Sequence, residues 1–318
     1  MVIKISSEPI RIGTAERDGT FHSQGLTLKA LLDRRHSLGA IEVIESSSAS
    51  IENANRLHAG EIEFGFMASN WIGRARNGEP PFTQPIDIRM VAPMNVGPLF
   101  FVTRADADIA TVADLRGRRV AVGMKTSGMV QHAHTIFGVL GLSFSDFTPV
   151  YLDFAAGADA LAAGEVDAQL QCPIPNKVMT ELAERIDVRV LPYAAPDLGR
   201  LMQAVSFYRP VTMRKGAIRG LDADVAQPAV VNILATHARV NEGVVGEVAW
   251  GIMVGLGLLR GMNPLFADIV ALFDPMYRGG PQAFEFGGVA LHPAALEVYR
   301  LGYIAFQESG GNSKPQQH

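Results

Sequence analysis

A chain of 318 residues, 48% hydrophobic and 19% charged, is long and apolar enough to bury a core in each of two lobes. Its formal net charge of −4 gives no electrostatic case for nucleic acid or an anionic membrane. No apolar run reaches the roughly 18–20 residues of a membrane span, so no direct membrane insertion is expected. The single cysteine, Cys172, excludes an internal disulfide framework and a multi-cysteine metal site.

The opening residues, Met1 to Ser6, carry neither a basic segment nor a long apolar core before a small-residue cleavage site. The expectation is a cytoplasmic protein if Met1 is the native start, and a periplasmic one if a leader was removed. Ile10-Arg11-Ile12 reads as a strand and Leu26 to Leu32 as a helix. Between them lies Gly13-Thr14-Ala15-Glu16-Arg17-Asp18-Gly19-Thr20-Phe21-His22, a Gly/Thr loop entering a helix. Such a loop presents free backbone N–H groups and partial positive charge, suited to a carboxylate. Ile41 to Ile44 reads as a strand, Ser46 to Ser50 as a loop and Ile51 to Ala59 as a helix closed by Gly60. Phe64 to Met67 is a third strand, followed by Ala68-Ser69-Asn70 and a helix start at Trp71. Three strand ends therefore carry small hydroxyl or amide residues, and ligands of open α/β sheets sit outside such ends.

Further on, Leu99 to Thr103 and Arg119 to Gly123 read as strands, with a short helix at Val112 to Gly117. The loop Met124-Lys125-Thr126-Ser127-Gly128 opens a helix from Met129 to Leu140. Val150 to Leu152, a helix Ala156 to Ala163, Val166 to Leu170 and a loop Gln171 to Asn176 complete this unit. From Ala204 to Met213 the pattern suggests a return to the first lobe, with helices from Asp224 to Arg239 and Glu242 to Leu259. The expected division is residues 1–103 with 205–308 as lobe 1, 104–204 as lobe 2, and 309–318 as a flexible tail. The expected architecture is two-lobed α/β with a ligand cleft between the lobes.

Several elements together resemble the TAXI group of solute-binding receptors of TRAP transporters, on the type II periplasmic-binding-protein fold. The match spans about Ile10 to Tyr303. Gly13-Thr14 and Gly19-Thr20-Phe21-His22 stand in the family's opening loop, and Glu45-Ser46-Ser47 with Ser50-Ile51-Glu52-Asn53 in its second. Val112-Ala113-Asp114-Leu115-Arg116-Gly117 with Val120, Val122 and Gly123 forms the third piece, and Ser127-Gly128 a helix entry. Ala158-Asp159-Ala160-Leu161, Gly164 and Asp167-Ala168 precede a closing Leu291-His292-Pro293, Ala295, Tyr299 and Arg300. The departures lie around the cleft: Ala15-Glu16-Arg17-Asp18 replace small residues, and His22 stands where tyrosine is usual. Ser48-Ala49, Ala68, Lys125 and Met129 also differ from the family's pattern. The resemblance implies a small acid as ligand, such as an amino acid or a dicarboxylate, and membrane subunits of a TRAP-type transporter as partners.

The candidate ligand-binding residues are Thr14, Gly19, Thr20, His22, Ser50, Asn53, Ser69, Asn70, Lys125, Ser127, Gly128 and Asn176. For Thr20, Ser50 and Asn176 the competing role is plain helix capping. Lys125 either neutralises a second carboxylate or is a solvated loop lysine, and His22 either titrates in the cleft or packs as a ring. His132 and His134, two apart, face different sides of a helix and make a poor zinc pair. With no phosphate-binding, dinucleotide or zincin motif, neither cofactor nor metal is expected. Two functions fit: a receptor that binds a small carboxylate, and a cytoplasmic cofactor-free enzyme on the same fold. The second would be a decarboxylase or another lyase or isomerase of a carboxylic acid, with His22 or Cys172 as proton donor.

Overall fold

The computed structural model describes residues 8–17, 19–35, 37–125, 127–171, 173–284 and 288–309. Asp18, Thr126, Cys172 and the expected tail from residue 310 onward lie outside them. The chain divides into two compact units, the first running to Asn95 and resuming at Val231, the second from Val96 to Val230.

Unit 1 begins with three strand–helix pairs. These are β1 (Ile10–Gly13) with α1 (Thr20–Leu32), β2 (Ile41–Ile44) with α2 (Ser50–Ala59), and β3 (Phe64–Ala68) with α3 (Ser69–Asn77). The long strand β4 (Ile88–Pro98) carries the chain into unit 2. There β5 (Phe100–Arg104) and a 3-10 turn at Val112–Leu115 lead to β6 (Arg119–Ala121), α4 (Gly128–Val139), β7 (Thr148–Val150), α5 (Phe154–Ala163) and β8 (Ala168–Gln171). Next come α6 (Lys177–Arg185), β9 (Val188–Val190), α7 (Ala195–Ala204), β10 (Tyr208–Met213) and β11 (Val225–His237). Back in unit 1, α8 (Glu242–Val254), α9 (Leu256–Met262), α10 (Ile269–Gly279) and α11 (Pro293–Glu308) complete the fold.

Both sheets share one plan. The first sheet runs β2-β1-β3-β11, with β4 also paired to β11 and β10 paired to the Val225–Val230 half of β11 as its sixth strand. β1 runs parallel to β2 and β3 (Ile10↔Ile41, Ile12↔Phe64), while β11 is antiparallel to β3 (Ile233↔Met67). In unit 2 the order is β7-β6-β8-β5-β9, with β6 parallel to β7 and β8 and β5 antiparallel to β8 (Phe100↔Gln171). Each sheet thus runs second, first, third parallel strand, then an antiparallel strand adjoining a passage between units, then a fourth. The three parallel strands end on the same edge, where the helix-start loops lie.

The expected crossings at 103/104 and 204/205 both fall inside unit 2. β5 pairs with β8 and β9 in the second sheet, whereas β10 and the Val225–Val230 half of β11 pair at the edge of the first sheet and join unit 2 through the packing of Tyr208, Met213, Val225 and Val230 on its cores. The expected helix from Asp224 to Arg239 is instead β11, thirteen residues long. Its residues Gln227 to Thr236 are all buried, which removes the two-residue alternation by which a half-exposed strand is read. The expected single helix from Glu242 to Leu259 is two, bent by 68° after Val254. A Cβ on Gly255 would meet the Gly251 carbonyl and Leu31 at 2.7 Å, so only glycine allows the close pass of this bend against α1. Among the described residues no single helix is long and apolar enough to cross a membrane.

The core of unit 1 packs α1, α8 and α11 on the sheet, with Phe21 stacked on Phe66 at 5.6 Å and Phe273, Phe284 and Tyr299 edge to face. Tyr299 donates its hydroxyl to the Val91 carbonyl at 2.8 Å, which satisfies the one polar atom of that cluster. Unit 2 has a core on each face of its sheet, one around Phe101, Phe137 and Phe147, the other around Phe100, Leu161 and Met179. Side chains of this size contribute about 1.5–3 kcal/mol each on full burial, so both sheets are held on two faces.

Candidate ligand-binding site

The strand ends of unit 1 are laced by side chains the sequence marks as polar. Thr14 is fully buried; its N–H and hydroxyl both donate to the Ile44 carbonyl, at 2.9 and 3.0 Å. Its carbonyl accepts from Ser46 Oγ and Asn53 Nδ2, each at 2.8 Å, and the same Nδ2 donates to the Phe66 carbonyl at 2.9 Å. Ser50 Oγ accepts from the Ala68 N–H at 3.0 Å. Thr14, Ser50 and Asn53 therefore tie β1, β2 and β3 together at one edge. A Cβ on Gly13 would lie 2.5 Å from Asn53 Oδ1, so the tie requires glycine there.

The three helix starts at this edge differ. The loop into α2 is closed by Glu52, which accepts from the Ser47 and Ser48 N–H groups at 2.8 and 3.3 Å. Burial pushes this carboxyl up, but those two N–H donors and Arg56 outweigh it and hold it below the usual carboxylate range. By contrast, α1 starts after Gly19 and α3 after Ala68, and neither has a side-chain cap among the described residues. The first N–H groups of a helix have no partner within it, so each start offers donors to an acceptor from outside. Thr20, partly exposed, opens α1, and its hydroxyl has no partner among the described residues. Ser69 opens α3 and accepts from the Val231 N–H at 3.3 Å. Asn70, 7% exposed, has neither its amide oxygen nor its amide nitrogen bonded among the described residues. His22, half-buried in the first turn of α1, places Nδ1 3.4 Å from Thr14 Oγ1. The loop charges stay on the surface: Glu16 is exposed, and Arg17 pairs with Glu45 at 2.8 Å.

Beneath α1 lies a cluster that sequence reasoning missed. Asn95 Oδ1 accepts from Gln24 Nε2 at 3.0 Å and from Asn232 Nδ2 at 3.1 Å, all three buried, and Gln24 Oε1 is unbonded among the described residues. The available signal was Gln24, a polar residue on the buried stripe formed by Phe21, Gly25, Leu28 and Leu31.

Ala49, the residue before α2, has φ +41° and ψ −110°, the one non-glycine with positive φ among the described residues. An alanine held there costs about 1–3 kcal/mol. Ala49→Gly should therefore raise unfolding free energy by about 1 kcal/mol in urea titration. An unchanged midpoint would mean that the loop relaxes in solution.

In unit 2 the corresponding helix starts are capped by their own side chains. Ser127 Oγ accepts from the Val130 N–H at 3.5 Å, Asp153 from Ala156 at 2.7 Å and Asn176 from Met179 at 2.7 Å. Ser127, Gly128 and Asn176 thus stand at helix starts as expected, with Asn176 in a capping role. Exposed Lys125 sits over the Tyr151 ring, 5.2 Å from its centroid, with no carboxylate in ion-pair range among the described residues. Gln171, at the end of β8, is fully buried with both amide atoms unbonded among the described residues, a second residue the sequence did not single out. Cys172 lies outside the described residues. His132 is buried on α4 with Nδ1 2.8 Å from the Tyr208 hydroxyl, and His134 stacks on Phe144 at 3.6 Å, so the two do face apart. No group of three or more metal-ligating side chains occurs among the described residues.

Chemically, the unit 1 edge offers backbone N–H groups, a hydroxyl and an amide, and one imidazole. Such a set is chemically suited to an acceptor such as an acid group, held by directed hydrogen bonds rather than by a paired charge.

Comparison with known proteins agrees with this architecture. The aliphatic sulphonate binding protein SsuA of Escherichia coli is 19% identical over 97% of this chain and 90% of its own, with a TM-score of 0.52. A TctC solute binding protein from Polaromonas is 15% identical over 95% and 99%, with a TM-score of 0.57. The putative sulfonate-binding protein SsuA of Methylobacillus flagellatus is 14% identical over 95% and 87%, at 0.52. At these identities the likeness is one of fold, the two-lobed periplasmic-binding-protein fold. The NMT1-like family model matches residues 12–300, nearly the whole chain, and the chain belongs to that family.

Proposed function

We propose that this protein is a solute-binding receptor for a small organic acid, a carboxylate bound through its acid group at the starts of α1 and α3. The observation that carries the reading is the pairing of two uncapped helix starts with the unbonded, buried amide of Asn70. An unsatisfied buried amide is destabilising by about 1–3 kcal/mol, and a bound acid oxygen would remove that penalty. The TAXI-like order of motifs supports a TRAP-type system with membrane subunits as partners and a periplasmic location. The solved structures of similar fold carry sulphonate-binding and solute-binding names, which makes sulfonates the competing ligand class.

Thermal shift and calorimetry against amino acids, 2-oxo acids, short dicarboxylates, aromatic acids and alkyl sulfonates test the reading. A ligand raises the melting temperature by mass action. Response to sulfonates alone would replace the carboxylate, and no response to any class would remove the receptor assignment. Thr20→Val keeps the shape and deletes a hydroxyl, so affinity should fall by about 1.5–3 kcal/mol, roughly tenfold to a hundredfold. Unchanged affinity with lower stability would make Thr20 a helix residue only. Mass spectrometry of the ligand after long incubation should return it intact, whereas turnover would point to the cofactor-free enzyme.

A further inference from the structure

Thr14 Oγ1 has three polar neighbours: the Ile44 carbonyl at 3.0 Å, the Ala15 carbonyl at 3.4 Å and His22 Nδ1 at 3.4 Å. A threonine hydroxyl has one proton and two lone pairs, and a carbonyl can only accept. The proton goes to the nearest carbonyl, Ile44, at a position where Thr14 is fully buried. Toward His22 the hydroxyl can then only accept, so Nδ1 is the nitrogen that carries hydrogen. In the neutral ring this leaves Nε2 as a bare lone pair. Among the described residues Nε2 has no hydrogen-bond partner.

We infer that His22 is a specificity-determining residue whose Nε2 accepts a hydrogen bond from the ligand, so the acid bound here carries a hydroxyl, amino or amide N–H group besides its acid group. This rests on the receptor reading above. The helix starts supply donors and require acceptors; Nε2 supplies an acceptor and requires a donor. A plain alkyl carboxylate or sulfonate has acceptors alone and would turn lone pairs toward Nε2. A hydroxy or amino acid satisfies both sides.

Two measurements test this. In protein labelled with ¹⁵N at histidine, imidazole spectra near pH 8 should show His22 with a protonated Nδ1 and a bare Nε2, its signals assigned by their loss in His22→Gln. Thr14→Val should release that preference. Calorimetry at the same pH then compares matched pairs: lactate with propionate, malate with succinate, taurine with ethanesulfonate. The donor-bearing member should bind about tenfold more tightly, the scale of one hydrogen bond, and His22→Phe should make the members of each pair alike. A proton on Nε2 overturns the inference, as does equal binding within the pairs by wild type. Equal binding leaves the receptor reading standing, whereas no binding of any acid removes both.

Discussion

Asn53→Ala is expected to lower the unfolding free energy by about 2–4 kcal/mol, although the residue looks from sequence like a ligand contact. Its side-chain nitrogen serves two backbone carbonyls at once, Thr14 on β1 and Phe66 on β3, and the residue is fully buried. Removing the amide leaves the Phe66 carbonyl without this donor and the Thr14 carbonyl with Ser46 alone from this pair. It also opens a cavity against Gly13 and Gly65, where alanine is too short to fill the space. Urea unfolding followed by far-UV circular dichroism measures the change. If stability stays within about 0.5 kcal/mol of wild type while ligand affinity falls, Asn53 is a ligand residue and the tie is incidental.

Acid should weaken the fold before its carboxylates titrate, and His132 is the main reason. Burial pushes this imidazole from 6.5 down to about 3, so the folded chain holds it neutral while the unfolded chain takes up a proton. A folded-state value below the unfolded one gives stability that is complete above about pH 6.5 and declines as pH falls toward the folded value. In that window one such group contributes about 1.4 kcal/mol per pH unit. His237 and His292 are lowered by burial as well and act in the same direction. His132→Phe keeps a ring against Tyr208 and removes one proton from the balance. Between about pH 6 and pH 5 the wild type should lose about 1 kcal/mol more than the variant, read from urea midpoints. Parallel pH profiles for the two proteins would show that the imidazole is hydrated in solution.

Local pattern carried most of the parallel strands and the helices that follow them. β1, β2 and β3, the capped α6 and the glycine-closed α2 and α5 all announce themselves through alternation, cap residues and terminal glycine. β11 did not, because a strand buried on both faces is uniformly apolar and borrows the look of a core helix. The same blindness moved the second expected crossing, since β10 and the first half of β11 pair into the first sheet and belong to unit 2 only through packing on its cores. At the site, the polar residues at strand ends were legible as a set. Their division into ties (Thr14, Ser50, Asn53) and unbonded groups (Thr20, Asn70) depends on register between strands far apart in sequence. Gln24, Asn95 and Asn232 converge from three distant segments, and nothing local links them.

β11 has a consequence for how the protein is made. Its first half hydrogen-bonds to β10, and its second half, Asn232 to Thr236, closes the open edge of β3. A ribosome delivers β1, β2 and β3 first, then all of unit 2 as one uninterrupted span, and only afterwards the residues that complete the first sheet. Until then the nascent chain presents the bare edge of β3, four of whose five residues are buried in the finished fold. Such an edge is a template for pairing with other chains. Unit 2 is free to finish first, and its β10 can hold Val225–Val230 extended, so that the strand arrives at β3 already straightened.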